Sequence, residues 1–465
     1  MKHQLIDEFA AQLKPETQAA VRFSAKGNHE RSRKLLSDHY DDSDQLRALA
    51  GQIKQHTIEH LDRYLAQAEA ALTAHGAKIH WAATAETACE QVLEILRARG
   101  ATTLVKSKTM VSEEIELNPF LEKHGITPLE TDLGEFIAQI DHDKPSHIVG
   151  PVIHKNRREI GRSFDRFGLG PYTDDPPTLT RRARQYLRNK YLQADAGLTG
   201  ANFLIAESGR IVVATNEGNS RFCLAPTKVH IALIGIEKLL PRDRDLSLFL
   251  NLLGRSATGQ PLTVYTEFIQ GPKAPGQRDG PEELHVIFLD NGRTKALASE
   301  CLDVLRCLRC GACLNVCPVY RQVGGHAYRT VYSGPIGSVL SPIMKGDGFA
   351  EFADLPKACS VCGACKEVCP VNMPLPDMLL RLRDRAKQES IASPGTPPMG
   401  AWAMSATNPT LWRAGLLGGS LLDHVPTSLI PVPALHTWVS THTMPPWRGG
   451  KLRSWLKQRK KEKTT

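Results

Sequence analysis

The sequence predicts an α/β domain with a largely parallel sheet, followed by a helical, cysteine-rich module. Two observations carry this. Short apolar runs alternate with helical patterns as far as residue 292, and eight of the eleven cysteines crowd into residues 307–369. The length, 465 residues, leaves room for two or three domains with cores of their own.

Residues 1–42 are polar and mixed, and RFSAKGNHERSRK (22–34) reads as a partly flexible basic arm. From about Ser43 to His75, apolar residues recur at three- and four-residue steps (Leu46, Leu49, Ile53, Leu61, Leu65, Ala68, Leu72), the period of one long helix. KIHWA (78–82) reads as a strand. Thr87 to Arg99 reads as a helix that Gly100 terminates. TTLVK (102–106) is a strand, Ser112 with Glu113 and Glu114 opens a helix, and SHIVGPV (146–152) is read as another strand. ANFLIAE (201–207) and RIVVATN (210–216), joined by Ser208-Gly209, form a hairpin. VHIALIGI (229–236), PLTVYTEFI (261–269) and ELHVIFLDNG (283–292) complete the expected strands, and the alternation with helices implies parallel pairing.

The opening MKHQLIDEFAAQLK has scattered charges and no apolar core, so neither a signal nor a transit peptide is expected. No apolar run approaches the roughly 18 residues needed to span a bilayer, and a cytoplasmic protein is expected. The net charge of +9 is uneven, because residues 451–465 hold seven Lys or Arg and one Glu, leaving +3 for the rest. Nucleic acid is not an expected partner of such a body. Five of the six tryptophans (Trp402, Trp412, Trp438, Trp447, Trp455) fall after residue 400. The Trp-rich part is expected to meet a partner subunit. The basic end (456–465) reads first as a solvated, disordered tail, with docking on an acidic partner or a peripheral contact with an anionic membrane as the alternative.

The cysteines carry the chemistry. Cys307-Leu-Arg-Cys310-Gly-Ala-Cys313-Leu-Asn-Val-Cys317-Pro318 is repeated as Cys359-Ser-Val-Cys362-Gly-Ala-Cys365-Lys-Glu-Val-Cys369-Pro370. Both runs have the C-x2-C-x2-C-x3-C-P spacing of two-cluster ferredoxins. A cubane needs three thiolates converging from one tightly turning loop, and Gly311 and Gly363 sit where the backbone must curl. The fourth cysteine of each run reaches the other cluster. One [4Fe–4S] cluster is therefore assigned to Cys307, Cys310, Cys313 and Cys369, the other to Cys359, Cys362, Cys365 and Cys317. Zinc sites space their cysteines as two separated pairs instead. Cys89, Cys223 and Cys301 read as buried small hydrophobes. The 41 residues between Cys317 and Cys359, with helical flanks, resemble the α-helical ferredoxin modules of fumarate reductase, heterodisulfide reductase and anaerobic glycerol-3-phosphate dehydrogenase subunits.

TGANFLIAESGRIVVATNEGNSR (199–221), SHIVGPVIHKNRREIG (146–161) and RCGACLNVCPVYR (309–321) together resemble the lactate utilisation protein B (LutB/YkgF) family. The resemblance implies a LUD domain, related to ribose-5-phosphate isomerase and CoA transferases, followed by the ferredoxin-type domain. The expected layout is an N-terminal helical arm (1–59), the LUD α/β domain (60–292), the two-cluster domain (293–390) and a Trp/Pro-rich C-terminal segment with a basic tail (391–465). It implies an electron-transfer subunit of an L-lactate oxidising complex with LutA-like and LutC-like subunits, the final acceptor being open. No catalytic residue is assigned.

The LUD relationship implies an anion pocket at loops after strands, with Glu207, Asn216, Glu217, Asn219 and Arg221 as candidates. The loop also reads as a plain turn, and Glu207 as structural. Lys106, Lys108, His147, His154, Lys155 and Arg157 lie near expected strand ends, each alone more simply a surface or capping residue. His142, His147 and His154 lack the spacing of a metal triad, and no nucleotide-binding or H-E-x-x-H motif occurs. The alternative is a LUD-domain enzyme acting on an anionic acyl or sugar-phosphate ligand, with accessory clusters.

Overall fold

Runs that are apolar at every position, not at every second one, belong in strands covered on both faces. The computed structural model, which describes residues 13–345, 348–391, 399–422, 455, 456, 458 and 459, bears this out. Six strands form one all-parallel sheet: β1 (Lys78–Ala82), β2 (Thr103–Lys106), β3 (Thr127–Glu130), β4 (Ala196–Thr199), β7 (Val229–Gly235) and β10 (Glu283–Leu289). Their order is β1-β10-β7-β4-β2-β3. Every residue of β7 is buried. One face packs on the helices Ala85–Ala98 and Leu117–Lys123 through Leu104, Leu198, Ile231 and Ile287. The other packs on the helix Leu61–Ala74 through Ala232, Ile234, Val286 and Phe288. A second, four-stranded sheet lies over that face: β5 (Phe203–Ile205), β6 (Ile211–Thr215), β8 (Leu239–Leu240) and β9 (Tyr265–Ile269), in the order β8-β5-β6-β9. β5 and β6 form the expected antiparallel hairpin.

Three local expectations are corrected. The basic stretch 22–34 lies inside a helix, Pro15–His39, whose Val21, Ala25, Ser32 and Leu36 are buried. That helix packs on the helices Leu246–Thr258, Ala312–Val316 and Pro318–Val323, so tertiary contacts hold what the polar composition leaves loose. The long helix divides at His60 into Ser43–Glu59 and Leu61–Ala74. SHIVGPV is a closed turn, with the Ser146 N–H donating to the Pro151 carbonyl at 2.8 Å. Its apolar Ile148 is buried against the cysteine-rich module, not in a sheet.

The cysteine-rich module is helical: Ala312–Val316, Pro318–Val323, Gly334–Met344, Ala364–Glu367 and Leu375–Gln388. Its core is continuous with the second sheet, since Phe203, Ile205 and Val212 share one apolar cluster with Leu314, Val339 and Leu379. Residues up to Ala392 accordingly form one compact unit. The second unit holds the helices Met399–Thr407 and Pro409–Leu422, with Trp402 and Trp412 exposed. Trp438, Trp447 and most of the basic tail lie outside the described residues. Among the described residues no helix is long and apolar enough to cross a membrane.

Candidate functional site: two cysteine cradles and a cavity

Both cysteine motifs fold into the same local shape. In each, the residue two after the first cysteine takes a left-handed conformation (Arg309 at φ 59°, Val361 at φ 56°), and so does the glycine two further on (Gly311 at φ 75°, Gly363 at φ 84°). Two left-handed turns in five residues curl the backbone so that its amides point inward. The Arg309 N–H donates to Cys307 Sγ at 3.3 Å, and the Val361 N–H donates to Cys359 Sγ at 3.2 Å. The fourth cysteines also accept backbone N–H groups: Cys317 from Tyr320 at 3.5 Å and Cys369 from Met373 at 3.4 Å.

The sulfurs gather in two sets that cross between the motifs. Cys307, Cys310, Cys313 and Cys369 line one cavity with Ile148, Ile336 and Met373. In the other set, Cys317 lies within charge-repulsion range of Cys359 and Cys362, and Cys365 within range of all three. Cys313 and Cys365 also influence each other, and their helices pack together, so the two sets adjoin.

This arrangement fits an iron–sulfur cubane better than single ions or disulfides. None of the eleven cysteines is paired in a disulfide. No three of the eight motif sulfurs lie within 4.8 Å of one another. Tetrahedral zinc at about 2.3 Å per sulfur would draw its ligands to about 3.8 Å apart. Burial drives the thiols away from ionisation, raising Cys365 to about 12 and Cys369 to about 11. A bound cationic core reverses that cost.

The two cradles differ in their surroundings. Cys307, Cys310, Cys313 and Cys369 are all buried. In the second set only Cys365 is buried, Cys317 and Cys359 are half-buried, and Cys362 is exposed. The first cradle is sealed by the α/β part. At Gly311 a side chain would meet His147 Cε1 at 3.2 Å, so the glycine permits close approach as well as the left-handed turn. The Tyr320 hydroxyl donates to the Ser146 carbonyl at 2.8 Å.

A buried charge network completes the seal. Arg293, fully buried, donates from Nη1 and Nη2 to the two carboxylate oxygens of Glu114 at 2.9 Å each, and from Nε to Glu237 at 2.5 Å. The Tyr332 hydroxyl donates to Glu114 at 2.6 Å, and Arg309 Nη2 reaches Glu237 at 3.4 Å. Glu237 is held down to about 2: burial opposes ionisation, but Arg293, Lys238 and Arg309 outweigh it. Lys54 donates to the carbonyls of Glu237 and Leu239 at 2.6 and 3.1 Å.

Beside the sealed cradle lies a cavity of about 260 Å³. It opens beyond the carboxyl ends of β2, β4 and β7, where the strand order reverses between β2 and β4. Such crevices are the usual ligand sites of open parallel sheets. Ser107, Lys108, Asn202, Lys238, Arg309 and Cys310 are among its lining residues. Of the candidate anion-pocket residues, it gathers Asn216, Glu217 and Asn219 and leaves Glu207 and Arg221 outside its lining. Glu207 accepts the Asp243 N–H at 2.9 Å, while Arg221 lies 3.4 Å from Glu267 and over the Tyr265 ring. Burial first, and then the charge of Asp132, raises the Glu217 carboxyl above its ordinary range.

The remaining candidates have structural partners. Lys106 is paired with Glu130, Lys155 with Asp141 and Asp143, and Arg157 lies near Asp174 at the surface. His147 Nδ1 accepts the N–H groups of Val149 and Gly150. His154, Asp143 and His326 approach one another. His154 is bonded to Ser146, His326 faces the Lys144 carbonyl, and the Lys155 ammonium sits 3.0 Å from Asp143. Cys89, Cys223 and Cys301 are buried. Sequence reasoning missed Glu237, Lys238, Arg293 and Arg309. The signal available was an acid–base pair closing the apolar run VHIALIGIEK.

An α/β LUD domain sharing its core with a 4Fe–4S dicluster module defines an iron–sulfur protein class, and the family models agree. Residues 65–289 match the LUD domain and residues 303–373 the 4Fe-4S dicluster domain. The chain carries two [4Fe–4S] clusters. It is 43% identical over 423 residues to lactate utilization protein B of Geobacillus thermodenitrificans (strain NG80-2), covering 89% of this chain and 88% of that one. It is 42% identical to lactate utilization protein B of Bacillus subtilis (strain 168), covering 83% and 81%. It is 41% identical to the uncharacterized electron transport protein YkgF of Escherichia coli (strain K12), covering 92% and 90%. The chain belongs to the lactate utilization protein B family.

Proposed function

We propose that this chain is the electron-carrying subunit of an L-lactate oxidising system, working in the cytoplasm with LutA-like and LutC-like subunits. The observation that carries the reading is the adjoining pair of cradles, one against the LUD cavity and one open at the surface. In this reading Cys307, Cys310, Cys313 and Cys369 hold one cluster, and Cys359, Cys362, Cys365 and Cys317 the other. Each cluster, when bound, takes up and releases one electron. The chain's residues supply the rest. Backbone amides of Arg309, Val361, Tyr320 and Met373 stabilise sulfur charge. Ile148, Ile336 and Met373 exclude water from the sealed cradle. The exposed Cys362 edge meets the electron partner, and the Trp-rich segment and basic tail serve docking to a subunit or to the membrane surface. Residues 1–59, 60–292, 293–390 and 391–465 are the working divisions.

Anaerobically purified protein is expected to hold about eight iron and eight acid-labile sulfide per chain. Lactate-dependent dye reduction is expected only when the partner subunits are added. Stoichiometric zinc without sulfide, or full-rate lactate oxidation by this chain alone, overturns the reading. Turnover of a CoA ester or sugar phosphate by the chain alone points instead to an enzyme in the LUD cavity.

A further inference from the structure

Lys54, on the helix Ser43–Glu59, is a buried basic side chain without a counter-ion. Its Nζ donates to the carbonyls of Glu237 and Leu239 at 2.6 and 3.1 Å, and among the described residues no carboxylate lies within ion-pair distance of it. Lys106 and Arg293, equally buried, each have a carboxylate against them. The carboxylate of Glu237 is turned away from Lys54, to Arg293 and Arg309. Two carbonyls match the two N–H groups of a neutral amine, and the third N–H of an ammonium is left over. A buried amine in such a place gives up its proton unless negative charge is near. Burial pushes Lys54 down to about 7, with the charge of Glu237 opposing it.

Negative charge that can vary is supplied from the sealed cradle. One turn before Lys54, a side chain at Gly51 would meet the Val371 carbonyl at 2.8 Å, so the helix lies directly on the loop that carries Cys369. Val371 lines the cavity of Cys307, Cys310, Cys313 and Cys369. The charged groups that act on Lys54 are Glu237, Lys238, Cys307 and Arg309. On the other elements packed against its helix, Arg306 pairs with Asp303 at 3.0 Å and Arg255 donates to Asn251 at 2.8 Å. Glu69 accepts from Trp81 at 3.0 Å, and Asp62 and Arg63 are exposed. Four thiolates around a cubane core leave an overall negative charge, and an added electron deepens it. Fixed cations such as Arg293 attract both states alike, whereas a group that gains a proton follows the electron.

We infer that Lys54 is the proton-binding group of the sealed cluster: neutral beside the oxidised cluster, it takes a proton from water when the cluster receives an electron from its one-electron donor. One electron and one proton enter together. Both leave together when the electron passes to the acceptor, the proton returning to water, so the charge of the buried region is the same before and after. Lys54 acts through charge and is not a ligand. The inference rests on the cluster that the proposed function assigns to Cys307, and not on what the electron donor is. Lys238 is the competing group, since burial pushes it down to about 8, but it lines the LUD cavity.

The test is an EPR-monitored redox titration of the iron-loaded full chain at a series of pH values around neutrality, iron and sulfide being counted in every preparation. One of the two midpoints is expected to fall as pH rises above about 7, because the reduced state holds the Lys54 proton more tightly. Proton binding about tenfold tighter in that state corresponds to a fall of about 59 mV in all. The other midpoint is expected to stay, and Cys307→Ser is expected to abolish the one that moves. Lys54→Met is expected to remove the slope and fix that midpoint at its alkaline value. Lys54→Arg, which stays charged, is expected to remove the slope and fix it at the acid value, a pair of opposite results that a merely structural lysine does not produce. Lys238→Met is expected to keep the slope. If Lys54→Met fails to hold iron, the parent slope and Lys54→Arg decide. Two pH-independent midpoints, equal slopes in both, a moving midpoint that survives Cys307→Ser, or a slope that survives Lys54→Arg overturns the inference. With about eight iron per chain, those outcomes leave the electron-carrying reading intact. Zinc in place of iron and sulfide sinks that reading and the inference with it.

Discussion

The two cysteine cradles share a spacing, a pair of left-handed turns and a pattern of amide-to-sulfur hydrogen bonds, yet one is sealed and the other half open. At matching positions the sealed one has Arg309, buried and charged, and the open one has Val361, 36% exposed. The comparison teaches that a motif sets which atoms can hold a cluster, while its surroundings set who can reach it and at what potential.

Removing single ligands tests the crossing most severely. Cys369→Ser is expected to abolish or convert the cluster of Cys307 and spare that of Cys359, leaving about four of eight irons. Cys317→Ser is expected to do the reverse, and EPR of the reduced variants separates the two. If Cys369→Ser damaged only the cluster of its own motif, the crossed assignment would be wrong.

Breaking the seal should make the two cradles alike. Arg293→Met strands the buried carboxylates of Glu114 and Glu237 and is expected to cost about 3–5 kcal/mol in urea unfolding. An unchanged midpoint would show that the network does not hold the LUD part to the module.

Access should split the parent protein's iron into two kinetic classes. With a ferrous chelator after mild oxidation, the open cradle is expected to release its iron first, with alkylation appearing at Cys359 and Cys362 before Cys307 and Cys310. A single phase with simultaneous labelling would erase the distinction.

The smallest effect concerns potential. Arg309→Met removes a buried positive charge beside Cys307 and is expected to lower the sealed cluster's midpoint by on the order of 50–100 mV, leaving the open one unmoved. Equal shifts in both, read by EPR-monitored titration, would mean that the charge does not act locally.

Much of this was legible beforehand because it is local. KIHWA is β1 in its full length, the Ser208-Gly209 turn closes the expected hairpin, and VHIALIGI is β7 but for its last residue. β3 and β4 were missed: TPLE contains a proline and AGLT is too small and short to signal a strand. SHIVGPV misled in the opposite direction, since its apolar residues are buried by another part of the chain and not by strand neighbours. Polar composition at 22–34 gave no sign of the helix that the packing partners of Val21 and Leu36 hold in place.

The sequence by itself determined the two cysteine motifs, their glycines and the alternation of strands and helices, because spacing and turn chemistry act over a few covalently linked residues. Only the tertiary structure decided which cradle is sealed, which acids and bases meet at Glu237, and that Ser107, Lys108 and Arg309 face one cavity. Lys108 and Arg309 stand two hundred and one residues apart, and no local pattern records that folding brings both to the lining of one cavity.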